Sequence, residues 1–357
     1  MNTNCVRISK ADGERVRSRF MDLDILDSNF KIRSEGDQLL IPVKSDSVEG
    51  YVVEQHPMEE TVHEETDYKE LLDMSDDLKA ELPRSYDVVG DVAIIKLTDS
   101  LMEYRGEIGK ALMKVTPNLR IVMLDSGVKG DLRIRDLKVI AGEGTSETIH
   151  KEFGVRMLTD PSKVYFNSRL ATERARIASD VKDGEIIIDM FAGVAPFGTV
   201  ICKMANPKIV YSIDLNHDAE YFMRMNMEMN HIIQMVPITG DARIEITKLP
   251  EADRILMNLP QMADEFIVDA LRKTKVGGKI HLHKVMERAE METFKQGLVE
   301  RSKQAGYDIE FSAVTELKTY SPTMSVYVFD IVHKTNDKTL CTVNSNVVKV
   351  TCRFMKR

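Results

Sequence analysis

Four runs of β-branched and apolar residues each stop at a polar side chain. Glu185-Ile186-Ile187-Ile188 ends in Asp189, Ile209-Val210-Tyr211-Ser212-Ile213 ends in Asp214, and Pro237-Ile238-Thr239-Gly240 ends in Asp241. The fourth, Arg254-Ile255-Leu256-Met257, runs into Asn258-Leu259-Pro260. Short apolar runs of this type suit strands buried on both faces of a parallel sheet. Ligands of an open α/β sheet sit at the carboxyl ends of its strands, so the four polar tips converge on one site. An acid after the second strand can accept both hydroxyls of a ribose, each charge-assisted bond contributing roughly 1.5–3 kcal/mol. Asp241 offers a carboxylate that could receive an adenine amino group. Together the tips describe a nucleoside site.

Two kinds of nucleoside cofactor compete for it. A dinucleotide needs G-x-G-x-x-G, whose glycines let the backbone touch a pyrophosphate. The segment Met190-Phe191-Ala192-Gly193-Val194-Ala195-Pro196-Phe197-Gly198 has glycine only at 193 and 198 and no lysine or arginine. Asp189 would itself repel a pyrophosphate. It suits a cationic ligand, such as the sulfonium and amino group of S-adenosylmethionine. The residues alone therefore favour a methyltransferase over a nicotinamide dehydrogenase. The bland alternative is a doubly wound domain with incidental acids.

Three segments carry a closer likeness. Val164-Tyr165-Phe166-Asn167-Ser168-Arg169-Leu170-Ala171-Thr172-Glu173-Arg174-Ala175-Arg176, Asp189-Met190-Phe191-Ala192-Gly193-Val194 and Asn258-Leu259-Pro260 closely resemble the archaeal and eukaryotic tRNA (guanine-N1)-methyltransferases. The resemblance runs from about Cys5 to about His333. It implies methyl transfer from S-adenosylmethionine to the guanosine at position 37 of tRNA, beside the anticodon. It also implies an α/β fold: a Rossmann-like class I methyltransferase domain preceded by two small α/β domains.

The same resemblance assigns roles. Glu173 would take the N1 proton, Arg133 would stabilise the charge developing on O6, and Asn258 would position the base, as this chemistry requires. Pro260 would stiffen the loop near the methyl donor. Asp189, Asp214 and Asp241 would hold S-adenosylmethionine, with Tyr165, Phe191, Gly193, Asn216 and Asn258 lining its pocket, and no metal is required. The target base must leave its stack to reach such a site. On pattern alone, Glu173 reads first as a helix-capping or dipole acid, and it is the resemblance that makes it a base.

One departure stands out. The family commonly has a second glycine where this chain has Ala195. If that position needs a positive φ, the methyl costs on the order of 1 kcal/mol and could crowd the cofactor. Asn258-Leu259-Pro260 also lacks the aromatic residue of the N-P-P-Y motif that serves exocyclic amines, which favours a ring nitrogen. The alternatives within reach are a methyltransferase on another tRNA base or a wyosine-type intermediate at the same position, and a catalytically idle tRNA-binding paralogue.

The remaining sequence must position these groups. At 357 residues the chain can bury a sizeable core and divide into domains. A net charge of −8 argues against affinity built on phosphate neutralisation alone. No apolar run approaches the roughly 18 residues of a membrane span, and the first residues lack a signal-peptide core. The expectation is a cytoplasmic, monomeric enzyme with tRNA as its partner. Cys5, Cys202, Cys341 and Cys352 form no C-x-x-C pair, against a disulfide framework or zinc site.

Residues 1–50 read as a small mixed unit, with a helix over Ala11 to Leu26 and a hairpin turning at Glu35-Gly36-Asp37, and the resemblance implies that it is an N-terminal tRNA-recognition domain. Arg7, Lys10, Arg15, Arg17 and Arg19 are candidate phosphate contacts or merely a solvated face. Residues 51–83, rich in acids, read as a linker. Residues 84–151 form a small α/β domain in which Arg133 and Arg135 alternate on one face of a strand, either gripping a phosphate or paired to Asp131 or Asp136. His150 is expected to be structural. Residues 152–334 are the methyltransferase domain, and 335–357 an extension of unassigned role.

Overall fold

The computed structural model describes residues 2–23, 25–60, 67–130, 132, 134–319 and 323–336. In the first unit, β1 (Asn2–Ser9) lies between later strands and is followed by α1 (Gly13–Asp22), β2 (Arg33–Glu35), β3 (Gln38–Pro42) and β4 (Val53–Pro57). The antiparallel order is β2-β3-β1-β4. Helix α1 sets Val16 and Phe20 against Val6, Ile8, Ile41 and Val43. It is shorter than expected, because the chain folds back after it and the amides of Ile25 and Leu26 both bond the carbonyl of Phe20. The hairpin turns at Gly36, whose φ of 59° is costly for a residue with a Cβ.

Residues 51–83 are not one linker. Strand β4 pairs with β1 along Asn2–Val6. Tyr68, Leu72 and Leu82, around α2 (Asp76–Glu81), are buried in the core of the next unit, and the Tyr68 hydroxyl donates to the Pro83 carbonyl at 2.6 Å. The acidic composition hid these apolar anchors. Most of the acids face outward, as Glu54 does beside Arg7 and His56.

The second unit orders β5 (Asp87–Val89), β6 (Val92–Ile95), β7 (Ile121–Lys129) and β8 (Ile134–Gly142) in one sheet. Strands β6 and β7 are parallel, joined through α3 (Arg105–Val115). A hairpin, β9 (Thr148–Glu152) with β10 (Val155–Thr159), then bridges to the third unit. Its Val155 and Met157 share a core with Val89, Val92, Ile121 and Met123 on one side and Ile177, Phe197 and Val200 on the other.

The third unit holds a seven-stranded sheet. After α4 (Ala171–Asp180) come β11 (Ile186–Asp189), α5 (Pro196–Met204), β12 (Ile209–Asp214), α6 (His217–Asn230), β13 (Met235–Thr239), α7 (Ala242–Glu245) and β14 (Ala252–Met257). Helix α8 (Ile267–Lys273), β15 (Thr274–Glu287), α9 (Met291–Gln304), β16 (Tyr307–Thr319) and β17 (Met324–Asn336) complete it. The order is β13-β12-β11-β14-β15-β17-β16, with β17 antiparallel to both neighbours. The parallel register sets Ile187 beside Val210 and Arg254, and Ile188 beside Ile255. This places the ends of β11, β12, β13 and β14 at one edge of the sheet. It is the Rossmann-like arrangement the sequence implied.

Ala195 does adopt the left-handed conformation, φ 58° and ψ 48°, where it caps α5 ahead of Pro196. An L-residue there costs roughly 1–2 kcal/mol. Its methyl is fully buried in the core and returns about 0.8 kcal/mol. Ala195→Gly is therefore expected to change unfolding free energy by no more than ~0.5 kcal/mol, since strain relief, lost burial and added chain entropy nearly cancel. Chemical denaturation of the two proteins checks this.

Candidate functional site

At the carboxyl edge of the sheet lies a cavity of about 330 Å³. Of the residues selected from sequence, Tyr165, Phe191, Gly193, Asp214, Asn216, Asp241, Asn258 and Pro260 all line it. Asp214 ends β12 and accepts the Gly193 amide on Oδ2 at 2.6 Å and the Asn216 amide on Oδ1 at 2.8 Å. Each oxygen retains a lone pair for a ligand hydroxyl. Asn216 caps α6 by accepting the Asp218 amide, and its own amide group donates to the Lys163 carbonyl at 2.7 Å. That bond holds the segment carrying Tyr165 against the end of the sheet. Gly193 has φ 55°, and a Cβ there would stand 2.9 Å from the Tyr165 carbonyl oxygen. Glycine is required at this point.

Asp241 caps α7, accepting the Arg243 amide at 2.8 Å. The apolar wall was not singled out from sequence, apart from Phe191. Phe191 meets Phe266 edge to face at 4.9 Å, and the Arg243 guanidinium lies 4.1 Å from the Phe266 ring centre. Leu132, Leu259 and Met262 add to this lining. The Asn258-Leu259-Pro260 loop is tied to the next strand, because the Pro260 carbonyl accepts the Val285 amide at 2.9 Å. Ala195 does not line the cavity, so its methyl does not crowd a cofactor there.

Asp189 is fully buried beneath this surface. The Phe191 amide donates to Oδ1 at 3.3 Å, while Oδ2 has no partner. Burial, and secondarily the negative charge of Asp214, push its carboxyl up to about 7. Burial also raises Asp214, opposed by the amides of Asn216 and Gly193. Two desolvated acids side by side favour a ligand that brings positive charge.

Glu173 is in the first turn of α4 but caps nothing. It is 4 % exposed and is not among the cavity-lining residues. Both its oxygens accept from Arg176, at 2.7 and 2.8 Å. Arg176 also donates two bonds to Asp330 on β17, at 2.8 and 3.1 Å. Arg174, the next residue, turns the other way and pairs with Glu152 of β9 through two bonds of 2.5 Å. Arg133, the candidate for O6, lies outside the described residues, as do Asp131, the Tyr320-Ser321-Pro322 loop and residues 337–357. Arg135 pairs with Asp87 at 3.0 Å and lies 3.6 Å from Asp125. Asp87 is shared with Arg169, at 2.6 Å, tying the second unit to the third. His150 is structural, set between Glu152 and the Phe166 ring.

Known proteins carry the same architecture. Residues 5–52 match the tRNA methyltransferase 5 N-terminal domain, residues 68–145 the TYW2 N-terminal domain and residues 148–310 the TRM5/TYW2 methyltransferase domain. The tRNA (guanine(37)-N(1))-methyltransferase Trm5b of Pyrococcus abyssi is 41% identical over 283 residues, 79% of this chain and 84% of that protein. The chain belongs to the TRM5/TYW2 methyltransferase family. The crystal structure of Trm5b from Pyrococcus abyssi superposes with a TM-score of 0.71, covering 93% of this chain and all of that one at 34% identity. The complex of aTrm5 with tRNALeu gives 0.66 at 30% identity, covering 93% of this chain and 99% of that one.

The cofactor of this family member is S-adenosylmethionine, which supplies an electrophilic methyl group on a positively charged sulfur. The residues present fit it: an unpartnered, buried Asp189 oxygen suits a cationic group, and the carboxylates of Asp214 and Asp241, which line the cavity, would suit the hydroxyls and amino group of a nucleoside. Among the described residues, no helix is long and apolar enough to cross a membrane.

The raised Asp189 has a consequence. A cationic ligand favours the ionised carboxylate, so binding must release the proton wherever Asp189 starts protonated. Affinity for S-adenosylmethionine is expected to fall as pH drops below about 7, by up to roughly tenfold per unit. In Asp189→Asn the affinity is expected to be weak and flat over the same range. Titration calorimetry at pH 6, 7 and 8 measures both. The apo protein should respond oppositely. With the folded value above the unfolded one, ionised Asp189 destabilises the fold, so its penalty fades as pH falls from 7 toward 4.

Proposed function

We propose that this enzyme methylates N1 of the guanosine at position 37 of tRNA. The observation that carries the reading is the set of four strand ends. Asp214 and Asp241 line one cavity with Asn258 and Pro260, so a cofactor's nucleoside and a target base would meet across a few ångströms. The identity to enzymes of that name, over most of both chains, supports the same substrate.

In this reading Asn258, at the tip of β14, orients the guanine through its amide. Pro260 fixes the following backbone, aided by the Val285 bond. Arg133 meets the negative charge that develops on O6. Its sequence neighbour Leu132 lines the cavity, which supports the assignment. Glu173 receives the N1 proton after its carboxylate parts from Arg176 and turns toward the cavity. The Asn258-Leu259-Pro260 loop carries no aromatic ring to stack on an exocyclic amine, which favours a ring nitrogen. The enzyme acts as a cytoplasmic monomer.

Methyl transfer from labelled S-adenosylmethionine to unmodified tRNA transcripts with guanosine or adenosine at position 37 tests this directly. Label is expected only in the guanosine transcript. Glu173→Ala is expected to lower the single-turnover rate by about 10²–10⁴-fold with S-adenosylhomocysteine binding intact. Equal labelling of both transcripts would refute the substrate assignment.

A further inference from the structure

The charge cluster behind the site is one cation short. Glu173 and Asp330 both bond Arg176, so two carboxylates share one guanidinium. His281 cannot supply a second positive charge. Arg254, which can only donate, bonds its Nε2 at 2.6 Å. The ring proton therefore sits on Nδ1 and is donated to Asp330 at 2.6 Å. Burial, together with the facing Arg254 and Arg176 charges, pushes the imidazole toward its neutral form. Arg254 itself is matched by Glu185 at 2.9 Å and Asp180 at 3.0 Å. On the other side of Glu173, His283 lies 3.9 Å away. It is fully buried, pushed down to about 3 by that burial, and adds no charge. The Phe197 ring of α5, packed on His283, is uncharged.

Counted this way, Arg176 and Asp330 balance each other. The His281 ring N–H first, and then the Arg176 guanidinium, hold Asp330 well below the usual carboxylate range, while the bonds to Glu173 and then Asp330 keep Arg176 firmly charged. Glu173 is then the carboxylate whose cation already has a second partner, and it is the member that can leave. The same arrangement answers a second problem. Glu173 cannot leave Arg176 for the cavity if departure strands a half-buried guanidinium. The two bonds to Asp330 persist when Glu173 lets go, so the departure leaves a closed pair.

Resting on the reading of Glu173 as the base, we infer that Asp330 is a positioning residue for methyl transfer. By anchoring Arg176 it frees Glu173 to move. In the step it serves, a bond forms between guanine N1 and the methyl carbon. The carbon–sulfur bond breaks with its electrons remaining on sulfur, and the N1 proton passes to Glu173. The cluster thereby goes from one excess negative charge to none.

Single-turnover rates against pH, measured on full-length protein with a guanosine-37 transcript, distinguish this role from simple packing. In Arg176→Gln, Glu173 faces Asp330 with no cation between them, and the acid limb is expected to move up by about one pH unit or more. In Asp330→Asn, Arg176 belongs to Glu173 alone. The acid limb is expected to move down, and the plateau rate to fall by about tenfold or more. Arg176→Lys is expected to return the limb most of the way to its wild-type position. S-adenosylhomocysteine affinity, read by calorimetry, should be unchanged in all three. Opposite displacements in the two variants are something a merely structural role does not produce. Unmoved limbs, or limbs moving in the same direction, in proteins that bind S-adenosylhomocysteine normally would overturn the inference. Should Asp330→Asn fail to fold, the Arg176→Gln limb decides alone. Undiminished transfer by Glu173→Gln would instead remove the base assignment on which the inference stands.

Discussion

The bond from the Gly193 amide to the Asp214 carboxylate is the contact on which the site depends. It joins the loop leaving β11 to the tip of β12, and so fixes the distance between two strand ends that border one cavity. The cost of burying the carboxylate is partly offset by backbone amides whose positions the sheet register dictates. Glycine at 193 permits the turn, and the Tyr165 carbonyl closes over the space a side chain would have taken. Asp189 beside it has no such full set of donors, and its Oδ2 has no partner.

The same loop is braced from behind. Asn226 of α6, fully buried, accepts the Leu158 amide and donates to the carbonyls of Leu158 and Val194. Asn230 repeats the pattern on Arg156. Two asparagine side chains thus complete the outer edge of the β9–β10 hairpin, whose backbone groups would otherwise lie buried and unpaired. Through Val194, Asn226 also holds the turn in which Ala195 tolerates its left-handed backbone. The strain at Ala195 persists because packing on every side over-determines it.

Charge is organised in layers around α4. Arg174 faces the hairpin and Glu152, whereas Arg176 and Glu173 face β17 and its Asp330. A single helix therefore binds the connecting hairpin to the main sheet. Buried ion pairs of this sort add little net stability over apolar packing. What they provide is position: Arg176 makes four bonds, two to Glu173 and two to Asp330, so each carboxylate is held at both oxygens.

The strand ends were legible because a buried parallel strand needs an unbroken β-branched run, and a ligand at its tip needs a polar residue immediately after. Asp189, Asp214, Asp241 and Asn258 satisfy both conditions within a few residues of local sequence. The split of residues 51–83 was not legible, because a few buried anchors such as Tyr68 and Leu72 are outnumbered by acids that point to water. Nor were Asn226, Asn230, Arg254 and Asp330. Their partners lie dozens of residues away, and a polar residue in a helix or strand carries no mark of the backbone or charge it will meet. Local sequence thus determined the strands, their polar tips and the kind of cofactor they suit. Tertiary structure alone decided which acids would be solvated, which would share one guanidinium, and which would be left with charge to neutralise, because burial and pairing exist only after distant segments come together.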